Sequence, residues 1–292
     1  MTSPPRRLVI GCGYLGMRTA RRWLAAGDRV WGMTRSAARA DEFAAAGIEP
    51  IVADVARPDT IHSLPEVDTL FWAVGFDRSA GTTYREVHVE GLSRAIGGLP
   101  GHPRIILSSS TGVWGNDDGA VVTEATPATP TREAGKVLLE AEATLHSLAP
   151  GRGTALRFAG LYGPGRLPRL DDLRAGRPIA ADPESWLNLI HVDDAAQIVC
   201  AVAAAPAPRP LYVVSDGVPV RRRDWYAHLA KLSSSPPPTW DPSAPRTRGA
   251  DKRVDPSLLF SDIPITLAYP DAFHGLDAIH PVDRFVPKRI PS

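Results

Sequence analysis

Apolar, β-branched runs alternate with amphipathic stretches through the first part of the chain. The runs are RRLVI (6–10), RVWGM (29–33), IEPIVADV (48–55), VDTLFWAVG (67–75), PRIILSSSTGVWG (103–115), GTALRFAGLYGPG (153–165) and LYVVS (211–215). Between them, apolar residues recur at three- and four-residue spacing in MRTARRWLAAG (17–27) and over 36–46, 83–97 and 133–148, which predicts helices. Strands alternating with helices imply βαβ units and a doubly wound parallel sheet, an α/β fold with both faces covered. Such sheets bind ligands beyond the carboxyl ends of their strands. That rule places Gly11 to Gly16, Thr34, Asp54, Ala73, Ser110 and Arg157 along one rim. From 216 onward the pattern changes: a helical stretch (221–232) precedes SSSPPPTWDPSAPRTRG (233–249), which has no periodicity and reads as an exposed loop or flap. The tail 251–292 reads as short elements joined by turns.

The stretch GCGYLG (11–16) changes the picture most, because it follows a strand, opens a helix and precedes a second strand. Gly11 permits a tight turn, Gly13 lets the backbone approach a pyrophosphate, and Gly16 lets helix and strand pack closely. The first N–H groups of the helix then face the phosphates. The pattern predicts a Rossmann dinucleotide-binding domain over 1–159, to which 188–215 return, and a smaller substrate lobe built from 160–187 and 216–292. Gly11, Gly13, Tyr14, Leu15 and Gly16 are expected to bind the cofactor, with Thr34, Arg35, Ser36, Asp54, Ala73, Val74 and Gly75 from the following strand ends. A carboxylate closing the second strand would accept the ribose 2′-hydroxyl of NAD, whereas an Arg suits the 2′-phosphate of NADP. Here that strand ends in Thr34, Arg35 and Ser36, with Arg39 one turn later, so NADP(H) is expected, NAD(H) being the alternative. Asp54 either accepts from the adenine amino group or caps the helix after it.

At 292 residues the chain exceeds one ordinary core, consistent with a large domain and a smaller lobe. Lys and Arg (33) nearly cancel Asp and Glu (32), so no charge asymmetry points to nucleic acid or an anionic membrane. Cys12 and Cys200 form no disulfide framework, which suggests a reducing cytoplasm, and Cys12 reads as a packing residue. No secretory signal and no bilayer-length apolar run is visible.

LSSSTGVWG (107–115), with VHVEG (87–91), LRFAGLYGPG (156–165) and NLIHVDDAAQIV (188–199), makes the chain resemble the extended short-chain dehydrogenase/reductase family, which includes nucleotide-sugar epimerases and dehydratases. The resemblance covers about residues 6 to 235. It implies that Ser110 polarises a substrate oxygen and that Lys136 bonds the nicotinamide ribose. Trp114 stands where the family usually has Tyr, and Arg132 stands where its Tyr-x-x-x-Lys pair has the Tyr. A guanidinium stays protonated and cannot accept a proton, so Arg132 is no replacement base; it can still polarise a carbonyl or clamp a phosphate or carboxylate. GxGxxG replaces the family's GxxGxxG, with Ile10 where the first Gly would sit, and His88 replaces an Asn. These departures mark an atypical branch of the family.

Each residue also has a plainer reading. Ser108, Ser109 and Ser110 can be turn formers, and Lys136 can pair with Glu133 or Glu140. His88 is either an acid/base group or a satisfied supporting histidine. Tyr84 and Tyr162 are further phenols, Tyr162 matching a loop that usually shapes the cofactor pocket. His191, Asp193 and Asp194 resemble a metal triad but supply one imidazole, so no metal is expected. The basic run RRRDW (221–225) either meets a substrate phosphate or is solvated. The expected function is an NAD(P)-dependent oxidoreductase, or epimerase/dehydratase-like enzyme, on a small polar substrate that resembles a nucleotide sugar. The alternative is an inactive NADP(H)-binding sensor or scaffold. A homodimer is expected from the family's habit of pairing through a two-helix face.

Overall fold

Leu8, Val9 and Ile10 are almost wholly shielded from solvent, and the run that holds them forms strand β1 (Arg6–Ile10) at the centre of a sheet. The computed structural model describes residues 3–61, 63–241, 243 and 251–279. Around β1 stand β2 (Arg29–Thr34), β3 (Glu49–Val52), β4 (Thr69–Trp72), β5 (Arg104–Ser110), β6 (Gly153–Phe158) and β7 (Leu211–Val214). The seven strands lie in the order 3-2-1-4-5-6-7. The ladders joining β1 to β2, β2 to β3, β1 to β4 and β4 to β5 are all parallel. Strand order therefore reverses between β1 and β4, the arrangement that opens a crevice at the strands' carboxyl ends. The Rossmann-like, doubly wound α/β sheet expected from the sequence is present.

Helices α1 (Gly16–Ala25), α2 (Ala37–Ala45), α3 (Gly91–Gly98) and α4 (Glu133–Leu148) follow the predicted periods closely. Four segments differ in detail. The run 48–55 is a strand only over Glu49–Val52. The run 103–115 stops at Ser110 and closes with a 3₁₀ turn, Thr111–Val113. The run 153–165 divides at Ala159, and Gly160–Tyr162 leaves the main sheet to pair in parallel with Leu189–His191. The helix expected over 83–97 contains a π-helical stretch, Glu86–Glu90, ahead of α3. Its start is a capping box: the Thr83 hydroxyl accepts from the Glu86 N–H at 3.1 Å, while the Glu86 carboxylate accepts from the Thr83 N–H at 2.6 Å.

The chain divides into two compact units, one of residues 1–113, 130–157 and 196–212, the other of 114–129, 158–195 and 213–292. The core of the first is the sheet interior, with Leu8, Trp72, Leu92, Leu107 and Leu145 fully enclosed. The second has its own core around Tyr162, Trp225, Leu229 and Leu276. It also holds the short ladders of Trp186–Leu187 with Val220–Arg221 and of Ala120–Val122 with Lys252–Val254. Lys252 is buried there because its ammonium donates to the Trp114 carbonyl at 3.0 Å, which satisfies a charge that burial would otherwise penalise. Residues 242 and 244–250 of the Ser/Pro-rich segment, and 280–292 of the tail, lie outside the described residues.

Candidate functional site

The turn after β1 is shaped by close backbone approach. Gly11 has φ +95°, and a Cβ there would lie 2.5 Å from the Ala73 and Val74 backbone. A Cβ on Gly16 would lie 2.2 Å from the Gly11 carbonyl oxygen, so only glycine lets α1 start directly against the turn. Gly13 meets nothing within 4 Å and leaves its backbone face open. Above this turn is a cleft of about 190 Å³. Gly11 and Gly13, Thr34 at the end of β2 and Arg35 after it, and Arg39 and Phe43 from α2 line it. So do Asp54 and Val55 after β3, and Val74, Gly75 and Asp77 after β4.

The cleft is polar at one corner. Arg35 donates to the Asp77 carboxylate at 2.9 Å, and Arg39 donates to the Cys12 carbonyl at 2.8 Å with its guanidinium over the Phe43 ring. The Ser79 hydroxyl first, then Arg35 and the Ser79 N–H, hold the Asp77 carboxyl down at about 2. Burial pushes the Cys12 thiol up to about 12, the state of a packing residue. Asp54 accepts from the Ala56 N–H at 2.9 Å, closing a local turn while it lines the cleft. The Thr34 hydroxyl accepts from the Ser36 N–H at 3.2 Å, and the Ser36 hydroxyl caps α2 by accepting from the Arg39 N–H at 3.4 Å. Of the residues expected at the cofactor, Gly11, Gly13, Thr34, Arg35, Asp54, Val74 and Gly75 line this cleft, whereas Tyr14, Leu15, Gly16, Ser36, Ala73 and Lys136 stand outside its lining.

Ser110 ends β5, and its hydroxyl accepts from the Gly112 N–H at 3.0 Å, the turn-forming role that serines after strands take. Gly135 lets α4 approach that turn closely, since a Cβ there would lie 2.8 Å from the Gly112 carbonyl oxygen. Lys136, one residue on, is exposed and pairs with Glu133 at 3.4 Å. Its other candidate partner, Glu140, pairs with Arg85 at 2.5 Å. Arg132 is exposed at the residue preceding α4. His88 sits in the π-helical stretch with its ring 4.1 Å from that of Tyr84. It is buried, neither ring nitrogen has a hydrogen-bond partner, and burial lowers it to about 4.

Other positions correct or extend the sequence reading. Arg157 is the penultimate residue of β6, but its side chain does not face an open rim. It makes a bidentate buried pair with Glu142 of α4 at 3.0 and 2.7 Å, and the Ser109 hydroxyl donates to the same carboxylate at 2.5 Å. Tyr162 lies in the second unit's core, edge-on to His191 and Trp225, and is absent from the cleft lining. Asp194 caps a turn by accepting from the Ala268 and Tyr269 N–H groups at 2.8 and 2.9 Å. No cluster of His, Cys, Asp and Glu suited to a metal occurs among the described residues. In RRRDW, Arg221 stacks on Trp186, Arg222 donates to Ser185, and Arg223 pairs with Glu184. Among the described residues, no helix is long and apolar enough to cross a membrane. Asp77 beside Arg35, and the Ser109–Glu142–Arg157 triad, carry no signal in the sequence, because their members are distant in the chain and follow no local pattern.

Comparison with known proteins places these features in context. Residues 7–214 match the NAD dependent epimerase/dehydratase family. Protein YeeZ of Escherichia coli K12 is 30% identical over 273 residues, spanning 90% of this chain and 96% of the relative. A chain from Methylobacillus flagellatus, described as an NAD-dependent epimerase/dehydratase, superposes with TM-score 0.76 at 32% identity, covering 95% of this chain and 98% of that one. The UDP-glucuronic acid 4-epimerase of Bacillus cereus, in complex with UDP-glucuronic acid and NAD, shares the fold at TM-score 0.73 and 16% identity, over 94% and 97% of the two chains.

Proposed function

This chain belongs to the NAD-dependent epimerase/dehydratase family, and from that premise we propose that it is a nicotinamide-dependent oxidoreductase or epimerase/dehydratase-like enzyme, preferring NADP(H), acting on a polar, nucleotide-sugar-like substrate. The cleft carries this reading: a glycine floor at the sheet's topological switch point with Arg35 and Arg39 on one wall. These residues fit a nicotinamide dinucleotide. Gly11, Gly13 and the start of α1 would face the pyrophosphate, Arg35 and Arg39 the 2′-phosphate, Asp54 the adenine, and Val74 and Gly75 the chain between them. Gly16 and Ala73 support the same site through close backbone approach to Gly11, Ser36 caps α2 beside it, and Tyr14 and Leu15 complete the turn between Gly13 and α1. When bound, the cofactor supplies a hydride acceptor or donor at nicotinamide C4.

The remaining roles belong to the chain itself. Ser110 keeps a hydroxyl proton that can be donated to a substrate oxygen while its lone pair serves Gly112. Lys136, now paired with Glu133, would hold the nicotinamide ribose, and Arg132 would clamp an anionic group of the substrate. His88, neutral at pH 7, carries one acceptor and one donor nitrogen, so it would take a proton from the substrate or a water at the first and give one up to a second such group from the other once they reach its ring. We assign the substrate-holding role to residues 160–187 and 216–292, and place the protein in the cytoplasm as a homodimer.

A second reading, an NADP(H)-binding sensor or scaffold without turnover, is favoured by Arg132 at the family's Tyr position and by the engagement of Ser110 and Lys136 with Gly112 and Glu133. Titration with NADPH and NADH, followed by quenching of tryptophan fluorescence, tests both readings. Trp72 ends β4 beside the cleft-lining loop. Micromolar binding with NADPH the tighter ligand is expected; absence of binding by either cofactor overturns both.

A further inference from the structure

Resting on that cofactor reading, we infer that Asp77 sets how strongly the cleft discriminates between nicotinamide dinucleotides with and without a 2′-phosphate, by occupying the Arg35 guanidinium that would meet the phosphate. The family rule looks for a carboxylate or an arginine at the end of the second strand. Here both are present in one cleft. The arginine comes from the end of β2, and the carboxylate comes from the loop after β4, 42 residues away, bonded to it at 2.9 Å.

The two oxygens of Asp77 have separate duties. Oδ1 accepts from the Ser79 N–H at 2.9 Å and the Ser79 hydroxyl at 2.6 Å, which fixes the side chain in its own loop. Oδ2 takes Arg35. A ribose 2′-hydroxyl can donate to such a carboxylate without disturbing the ion pair. A 2′-phosphate must instead displace Asp77 from Arg35 or share the guanidinium with it, and it meets a like charge nearby. Arg39 differs because it donates to a neutral carbonyl, that of Cys12, so its charge is not matched by an acid in the same way. Arg35 and Arg39 thus pull toward the phosphorylated cofactor while Asp77 restrains that preference.

The test is the ratio of NADH to NADPH dissociation constants for the wild type, Asp77→Asn and Asp77→Ser, measured by tryptophan quenching at low and at high salt. Asparagine keeps the oxygen that serves Ser79 and removes the charge. NADPH binding is expected to tighten by roughly tenfold at low salt in both variants, with NADH unchanged or weaker, and the gain should shrink as salt screens exposed charges. A ratio unchanged in both variants, or an equal loss of both cofactors, overturns the inference while wild-type binding leaves the cofactor reading standing. A wild type that binds neither cofactor overturns the two together.

Discussion

Arg35, Ser110 and Glu142 each show how a residue's role depends on neighbours that the chain order does not reveal. Arg35 was legible because its position, closing the second strand, has a defined chemical consequence. Arg35→Asp should weaken NADPH binding far more than NADH binding, read as the two dissociation constants; equal losses would remove Arg35 from the 2′-phosphate. Ser110 was legible both as a site residue, from its motif, and as a turn former after a strand, and its bond to Gly112 realises the second reading. Ser110→Ala should abolish turnover while leaving cofactor affinity unchanged, and unchanged turnover would favour the sensor. Glu142 gave no signal, being one acidic residue on an amphipathic helix. It is nevertheless buried against Arg157 and Ser109. Glu142→Ala leaves a guanidinium buried without its carboxylate, and unfolding in urea should show a loss of about 3–5 kcal/mol.

At the scale of elements, periodicity located the sheet and its helices because burial on both faces of a parallel sheet leaves unbroken apolar runs. The helix over Glu133–Leu148 falls where the three- and four-residue spacing puts it. The π-helical stretch at Glu86–Glu90 was hidden, since one extra residue in a turn leaves the apolar pattern nearly unchanged. The departure of Gly160–Tyr162 from the main sheet was hidden too, because pairing with Leu189–His191 is a long-range choice. The start of α1 offers a sharp test. Gly16→Ala places a Cβ within 2.2 Å of a backbone oxygen that cannot move without reshaping the turn. The variant should lose about 1–3 kcal/mol of stability, from thermal or urea unfolding, and most of its affinity for either cofactor.

For the whole molecule, two buried groups shape stability against pH in opposite directions. Burial first, then Asp271 and Asp194, raises Asp216 from 3.8 to about 7. Its Oδ1 accepts from the Val218 N–H at 2.9 Å, while its other oxygen has no hydrogen-bond partner. Between pH 4 and 7 the folded chain holds this proton and the unfolded chain does not, so its contribution, on the order of 3–4 kcal/mol, is lost as pH rises. Burial lowers His88 from 6.5 to about 4. The unfolded chain then binds the extra proton, and stability from this group, about 3 kcal/mol, is lost as pH falls from 6.5 to 4. The two slopes oppose each other in the wild type. Asp216→Asn should therefore show stability rising from pH 4 to 6.5 and flattening above, in urea midpoints across that range. A curve parallel to the wild type's would mean that Asp216 titrates at its ordinary value.

The doubly wound sheet, the glycine turn and the arginine that closes the second strand follow from the order of residues alone. Each of these is written in short-range patterns, a two- or 3.6-residue period or a motif within one βα unit. That Asp77 holds Arg35, that Glu142 and Arg157 share a buried ion pair, and that His88 lies buried without a hydrogen-bond partner came only with the folded chain. Those outcomes depend on which distant segments meet and how much water they exclude. Charge and burial act through space, and spacing along the chain carries no record of that distance.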